Sequence, residues 1–290
     1  MNSGAALAPP PAAPGRFRLP GWAQLLALAV PIGFAYHRVA GALWMTWQTN
    51  DNYSHGPLVP LTSLALLWLR RDVLRARPVT SDARGLLLVA LACAMHVFGV
   101  RADLFTLQGW SFVVLLFGLS LSLLGMPLTR ALAFPIGYLG FMLTFPPIVM
   151  NTMSYGLKEV AILASSAIAK AAGVGLHRQG MSIFIHGGEL RVENPCSGLR
   201  SLLALLATGT LFAYFQQGGP WRRVAVLAAA LPIAVLGNVA RLALLFIAAN
   251  ARGVVWATGA FHDVTGYVMY AVALAALLGL RHLLTPRELR

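Results

Sequence analysis

The sequence predicts an all-α integral membrane protein of about eight transmembrane helices, with an extracytoplasmic interfacial helix and a short β-hairpin before a candidate nucleophilic cysteine. Hydrophobic residues make up 58% of the 290 residues and charged residues 11%, and the mean hydropathy is +0.71. One soluble core could not bury so much apolar surface, whereas lipid accommodates it when backbone groups are hydrogen-bonded inside helices. Short basic clusters separate the apolar windows, which is typical of a polytopic protein.

Eight apolar windows approach the ~20 residues that a helix needs to cross a bilayer. They lie at about 22–47, 56–69, 85–100, 105–125, 131–150, 198–216, 224–250 and 264–284. With eight spans, every arginine cluster between the windows falls on one side, which the positive-inside rule identifies as the cytoplasm. These clusters comprise Arg16, Arg18, Arg70, Arg71, Arg75, Arg77, Arg84, Arg130, Arg222, Arg223, Arg281, Arg287 and Arg290.

The Ala/Pro-rich residues 1–20 are predicted to be a disordered cytoplasmic tail, and residues 21–286 a single polytopic membrane domain with an extracytoplasmic insert at 151–197. Residues 151–175 are long enough to cross the membrane, but a span there would send Arg222 and Arg223 outside. The charge pattern therefore favours a helix in the outer interface.

The remainder of the insert, residues 176–197, alternates apolar and polar residues around Gly187 and Gly188. This pattern predicts a two-stranded hairpin that leads directly into Cys196.

The net charge of +13 would suggest nucleic-acid binding in a soluble protein. Here the basic residues lie between apolar runs, without the aromatic and basic interleaving that binds single strands. We therefore expect membrane lipids, and no nucleic acid, as partners. The two cysteines, Cys93 and Cys196, do not form a disulfide framework.

Cys196 opens the sixth window, where the unpaired amides and the dipole of a helix N-terminus favour a thiolate. Arg200 lies one turn later on the same helix face. On position alone, a cysteine at the edge of a span can equally be a small hydrophobic residue.

Arg241 lies inside the seventh window, with Asn238 one turn before it. Placing an arginine at depth costs at least ~2.5–3.5 kcal/mol, and such a residue is a functional candidate by default. It is about nine residues from the outer end of the window, or roughly 13 Å deep. The alternative is a structural salt bridge, but the apolar spans contain no obvious carboxylate partner.

His262 precedes the last span on the same predicted side, beside Asp263, which is available to orient the imidazole. Imidazole exchanges protons near neutral pH, although a lone interfacial histidine is more often an anchor. A thiol, a guanidinium and an imidazole at the outer ends of three successive spans suit acyl transfer.

Three other groups of residues carry reactive side chains. Arg38, beside His37 in the first span, lies in apolar surroundings and could contact substrate or lipid headgroups, but it has no assigned role. Cys93 and His96 share a helix face at mid-depth but have no third partner. His186 and Glu189 could bind a metal with help from Glu193 or His177, but that segment is better explained as a hairpin with solvated edges. We therefore predict no metal and no cofactor.

A non-catalytic transporter or polysaccharide-export component is the alternative function. Arg241 with Asn238, and the spans that Pro and Gly interrupt, would then line a substrate path.

Four segments in this order resemble the exosortase/archaeosortase family of membrane cysteine transpeptidases. They are NDNYSHGPLVPLTSLALLWLRR, ENPCSGLRSLLAL, LPIAVLGNVARLALL and GAFHDVTGY, and the resemblance runs from about residue 40 to 284. It implies a site with Cys196 as nucleophile, His262 as general acid/base and Arg241 as stabiliser of the oxyanion or the thiolate. Ser54 and His55 match the N-terminal motif, in a structural or substrate-facing role.

The resemblance also implies the substrate and the location. The substrate is a secreted protein held by a C-terminal sorting signal with a short motif (Pro-Glu-Pro in the bacterial branch), an apolar helix and a basic tail. The acceptor is a cell-surface polysaccharide or a lipid-linked glycan. The protein would span the bacterial inner membrane, with its active site on the periplasmic side.

One departure concerns the residues before the cysteine. The family usually places an acidic and a small residue directly there, whereas Glu193 is separated from Cys196 by Asn194 and Pro195. The shift puts a catalytic role for Glu193 in doubt.

Overall fold

The computed structural model describes residues 22–185, 188–191 and 198–286. Contacts divide the described chain into two compact units. The first contains the residues up to Met45 and Pro57–Leu143, and the second contains Thr46–Gly56 and the residues from Thr144 onward. The predicted tail at 1–20 lies outside the described residues, so that prediction and the single-domain prediction for 21–286 stay predictions.

The first unit is built from helices. These are α1 (Trp22–Thr49), whose last turn passes into the second unit, α2 (Leu58–Leu69), α3 (Arg71–Arg75), α4 (Arg84–Arg101), α5 (Phe105–Leu124) and α6 (Met126–Tyr138), followed by a 3₁₀ turn at Leu139–Met142. Gly85 and Gly118 let α4 and α5 approach closely, since a Cβ at Gly118 would lie 2.7 Å from the Val89 nitrogen. Small residues allow this packing between helices where lipid provides no hydrophobic driving force.

The second unit combines helices with a small sheet. Its elements are a 3₁₀ turn (Asp51–Tyr53), α7 (Pro147–Ala171), β1 (Leu176–Gln179), β2 (Ser182–Ile185), β3 (Gly188–Arg191), α8 (Leu199–Phe215), α9 (Pro220–Arg252), α10 (Val254–Thr258) and α11 (Ala260–Leu284). A proline in the first turn begins both α7 and α9, where its missing N–H costs nothing.

The sheet is antiparallel in the order β1-β2-β3. The pairing of β2 with β3 runs from Ser182–Arg191 to Ile185–Gly188. The sequence predicted a two-stranded hairpin with a glycine turn, whereas the sheet has a third strand, β1, which pairs with β2 from Leu176–Ile185 to Gln179–Ser182. Gly187 of the predicted turn lies outside the described residues, so the hairpin is not confirmed.

Two hydrophobic cores hold the second unit together. In one, Ile183 and Leu190 of the sheet and Ala257 of α10 pack on Leu242 and Phe246 in the C-terminal part of α9. The other joins α8, α9 and α11 and includes Tyr53. Its buried residues on these three helices include Leu199, Leu202, Leu205, Ala230, Ala234, Ala273 and Leu277. The last turns of α9 are therefore covered by the sheet and α10, while its first turns pack among helices.

Five helices in the described part of the chain are long and apolar enough to cross a membrane. They are Leu26–Thr49, Arg84–Arg101, Phe105–Leu124, Pro220–Arg252 and Ala260–Leu284. A sixth span results if Met126–Met142 and Pro147–Ala171 count as one. The predicted number of eight is not confirmed, because the windows at 56–69 and 198–216 form helices of 12 and 17 residues, roughly 18 and 25 Å long.

Residues 151–175, predicted to be an interfacial helix, fall almost entirely within α7. Its helical conformation agrees with the prediction. Its position in the membrane interface stays a prediction.

Candidate active site

Short connections make α9 antiparallel to both α8 and α11, so α8 and α11 run in the same direction. Gln216, just after α8, donates from Nε2 to the Thr285 hydroxyl just after α11 (3.4 Å). Arg223 in the first turn of α9 donates to the Gln216 carbonyl (3.2 Å). The beginnings of α8 and α11 therefore lie together at the opposite end of this bundle, beside the middle and C-terminal part of α9.

At that end, Arg241 of α9 contacts His262 of α11. The guanidinium Nη2 lies 3.0 Å from Nε2 of the imidazole and 3.3 Å from Nδ1, and it donates to the His262 carbonyl at 3.2 Å. A neutral imidazole has one acceptor nitrogen, and the shorter of the two distances is to Nε2. Together with the bond to the carbonyl, this contact holds the guanidinium beside the imidazole.

Asp263 provides the second polar contact of the imidazole. Its Oδ1 lies 3.3 Å from Nδ1 of His262, and its side chain is mostly exposed. A carboxylate accepts hydrogen bonds, so this contact favours the proton on Nδ1. The orienting role predicted for Asp263 is compatible with this geometry.

Gly266, four residues after His262 on the same face of α11, makes room for the guanidinium. A Cβ there would lie 3.2 Å from both Cζ and Nη2 of Arg241. Sequence reasoning missed this residue. Its spacing from His262 was the signal, because positions i and i+4 share a helix face.

Arg241 lies eleven residues before the end of α9 at Arg252, roughly 16 Å along the axis. The window from the sequence ended earlier and gave about 13 Å. Neither length measures depth below a membrane surface, because the sheet and α10 cover the last turns of α9. Arg241 lies at the base of that layer.

Cys196 lies outside the described residues, as do His186 and Glu193. The described chain resumes at Gly198, which precedes α8 with φ +78°. Asn238, predicted as a supporting residue, is 6% exposed and packs against Gly198, where a Cβ would lie 2.6 Å from the Asn238 Cγ. The structure thus brings Asn238, Arg241 and His262 to the N-terminal end of α8.

The N-terminal motif packs on the same end of α8. Arg200 Nη1 lies 3.6 Å from Asp51 Oδ1, with both side chains largely exposed, and Tyr53 is buried in the core that includes Leu199. The Phe145 amide donates to the Tyr53 hydroxyl (2.9 Å).

Burial raises the pKa of Tyr53 above its usual 10.0, and the hydrogen bond from the Phe145 amide opposes this in part. Ser54 is exposed and His55 half-buried. The roles predicted for both stay predictions.

A cavity of about 30 Å³ adjoins the guanidinium between α8, α9 and α11. Ser201, Asn238, Arg241 and Tyr270 supply polar groups to its wall, and residues such as Leu205 and Met269 line the rest. This volume is enough for one or two water molecules. Water can therefore occupy the space beside the guanidinium.

The structure also describes residues of two other candidate groups, one in the sheet and one in α4. His177 and Glu189 both pair with Phe184, so two strand spacings, roughly 9–10 Å, separate their backbones. Among the described residues, no group of three or more His, Cys, Asp or Glu residues could hold a metal ion. Cys93 is exposed, and the ring of His96 lies 4.4 Å from that of Tyr36.

Comparison with known proteins supplies the family. Residues 47–279 match the model of the transmembrane exosortases, which covers most of the chain and includes all three candidate residues. No curated protein and no solved structure matches the chain. This match and the apolar helices identify a multi-pass membrane protein, and the family suggests a protease or transpeptidase role. The chain belongs to the transmembrane exosortase family.

Proposed function

We propose that this chain is a cysteine protease/transpeptidase that cleaves C-terminal sorting signals of secreted proteins and transfers the proteins to a surface acceptor. The contact between Arg241 and His262 carries the proposal. It holds a proton carrier and a permanent cation together at the end of the bundle where α8 begins. Cys196 precedes Gly198 by two residues in the sequence.

The proposed reaction forms and breaks one thioester. His262 accepts the proton of the Cys196 thiol, and the thiolate attacks the scissile carbonyl carbon. Arg241 stabilises the negative charge that develops on the carbonyl oxygen. When the C–N bond breaks, the imidazolium gives its proton to the leaving amine.

In the second half of the reaction, a hydroxyl or amine of the acceptor attacks the thioester. His262 takes the proton of this nucleophile and returns it to the departing sulfur, which restores the thiol. The product is a new ester or amide between the substrate carboxyl and the acceptor. A water molecule in place of the acceptor gives hydrolysis.

The supporting residues have narrower proposed roles. Asp263 orients the imidazole through Nδ1. Arg200, paired with Asp51, anchors the N-terminal motif near the site, and Ser54 and His55 of that motif face the substrate. The proposed location is the periplasmic side of the bacterial inner membrane, with a polysaccharide or lipid-linked glycan as acceptor.

The first experiment combines Cys196→Ala with a co-expressed secreted protein that carries a C-terminal motif, an apolar helix and a basic tail. Processing, followed by immunoblot of the shortened product, should stop in this variant. Cys93→Ala is the matched control, because it removes the other cysteine, and it should process normally. Processing at the normal rate in Cys196→Ala would refute the proposal.

A second experiment tests the proposed topology. In a Cys93→Ala background, a maleimide that cannot cross the membrane is added to intact spheroplasts. Labelling of Cys196 is expected if the site faces the periplasm. Labelling that requires membrane permeabilisation would contradict the proposed orientation.

A further inference from the structure

Asn238 connects the catalytic helix α9 to the beginning of α8. It lies three residues, or about one turn, before Arg241 and is nearly fully buried at 6% exposure. The atoms nearest to a Cβ built on Gly198 are all from Asn238, with Cγ at 2.6 Å, Nδ2 at 2.7 Å and Cβ at 2.9 Å. The amide therefore fills the space that any other residue at position 198 would need.

Gly198 is tied firmly to α8. Its carbonyl accepts hydrogen bonds from the Ser201 hydroxyl (2.9 Å) and the Leu202 amide (2.9 Å). Its φ of +78° lies in the left-handed region, which costs a residue with a Cβ about 1 kcal/mol or more. Position 198 thus requires glycine both for the backbone turn and for the contact with Asn238.

Asn238 also forms a wall between two cavities. The larger, of about 30 Å³, includes Arg241 and Tyr270. The smaller, of about 10 Å³, includes Gly198 and Leu157 of α7. Asn238 therefore lies between the cavity that adjoins Arg241 and the cavity that adjoins Gly198.

Building on the proposed function, we propose that Asn238 is a positioning residue for the nucleophile. Its amide packs against Gly198 and so holds the first residue before α8 in place. We infer that this contact sets the distance from the Cys196 thiol to Arg241 and His262. Its effect is on how often the thiol occupies a reactive position.

A double-mutant cycle tests the contact. Asn238→Ala and Gly198→Ala are each expected to lower the kcat for cleavage of a signal peptide by about 10- to 100-fold, the scale of a misplacement of up to 1 Å, with KM within about twofold. In the double variant, loss of the amide removes the two closest contacts at position 198, with Cγ and Nδ2, and leaves the 2.9 Å contact with the Asn238 Cβ. Its kcat should therefore be no lower than that of Gly198→Ala alone, whereas a decrease equal to the product of the two single effects would overturn the proposal.

The pH dependence of alkylation separates positioning from a general loss of structure. In a Cys93→Ser background, the rate of reaction of Cys196 with N-ethylmaleimide is measured against pH. Asn238→Ala should move the midpoint to higher pH, because the thiol spends less time near the guanidinium. An unchanged midpoint together with an unchanged kcat would refute the role.

Two controls keep these outcomes interpretable. Asn250→Ala changes an exposed asparagine near the end of the same helix and should preserve kcat and the alkylation profile. If Asn238→Ala is not recovered as a folded protein, Asn238→Ser replaces it with the same expectations. If Cys196→Ala retains activity, the proposed function fails. If Cys196→Ala is inactive but the cycle is multiplicative, only the role of Asn238 fails.

Discussion

Gly266→Ala tests whether the position of the Arg241 guanidinium matters for the reaction. The added Cβ would lie 3.2 Å from Cζ and Nη2 and 3.5 Å from Nε. Ordinary carbon contacts begin near ~3.5 Å, so the guanidinium must recede by about 0.3–0.5 Å. The same movement would lengthen its contacts with His262, now 3.0, 3.2 and 3.3 Å, towards or beyond the limit of a useful hydrogen bond.

The expected effect on activity is a decrease of about tenfold. A displacement of ~1 Å can cost about 100-fold, and roughly half of that distance corresponds to about tenfold, or ~1.4 kcal/mol in the activation free energy. Folding should respond in the opposite direction. Alanine is favoured over glycine inside a helix by roughly 0.5–1 kcal/mol, so the thermal midpoint should stay constant or rise.

The assay measures the cleavage rate of a signal peptide by purified protein, alongside thermal unfolding in the same detergent. Gly279→Ala is the control in the same helix, because a Cβ at Gly279 has no atom within 4 Å, and it should preserve the rate. If Gly266→Ala cleaves as fast as the unmodified protein, the guanidinium does not need its observed position, and its role as stabiliser is wrong.

Three further predictions concern stability. Tyr53→Phe should cost about 1 kcal/mol, because it removes the acceptor of the Phe145 amide; chemical unfolding measures it. Burial raises the pKa of Tyr53 above 10.0, so the folded state keeps this proton longer than the unfolded state; stability should be constant below about pH 10 and decrease above it, and Tyr53→Phe should flatten that decrease. Glu159→Gln, which weakens a partly exposed ion pair with Arg178 (2.6 Å), should lower stability by less than ~1 kcal/mol, and a larger loss would show that the pair anchors the sheet to α7.

The sequence predicted the helical class and the two described catalytic candidates for a physical reason. An arginine inside an apolar window costs free energy, which marks Arg241 as a functional candidate. The predicted spans also placed it with two other reactive groups at the outer ends of three successive helices. Its contact with His262 was within reach of the same reasoning. Apolar windows indicate which segments form helices, but they do not show how many of those helices are long enough to cross the membrane.

The sequence could not predict features that depend on a second element. Strand β1 acquires its conformation by pairing with β2, and its four residues have no distinctive pattern of their own. Gly198 and Gly266 matter because of side chains that reach them from α9, which is a tertiary property. The windows at 56–69 and 198–216 looked like spans because hydropathy records composition and not the length of the helix that forms.

The central claim is that Cys196 becomes covalently bound to the substrate. Protein incubated with a signal peptide and quenched in acid is digested and analysed by intact-fragment mass spectrometry. We expect a Cys196-containing fragment that carries the N-terminal part of the peptide as a thioester, released by hydroxylamine and absent in Cys196→Ala. The same analysis is applied to His262→Ala. If the unmodified protein cleaves the peptide efficiently and neither protein accumulates the adduct, covalent catalysis by Cys196 is contradicted.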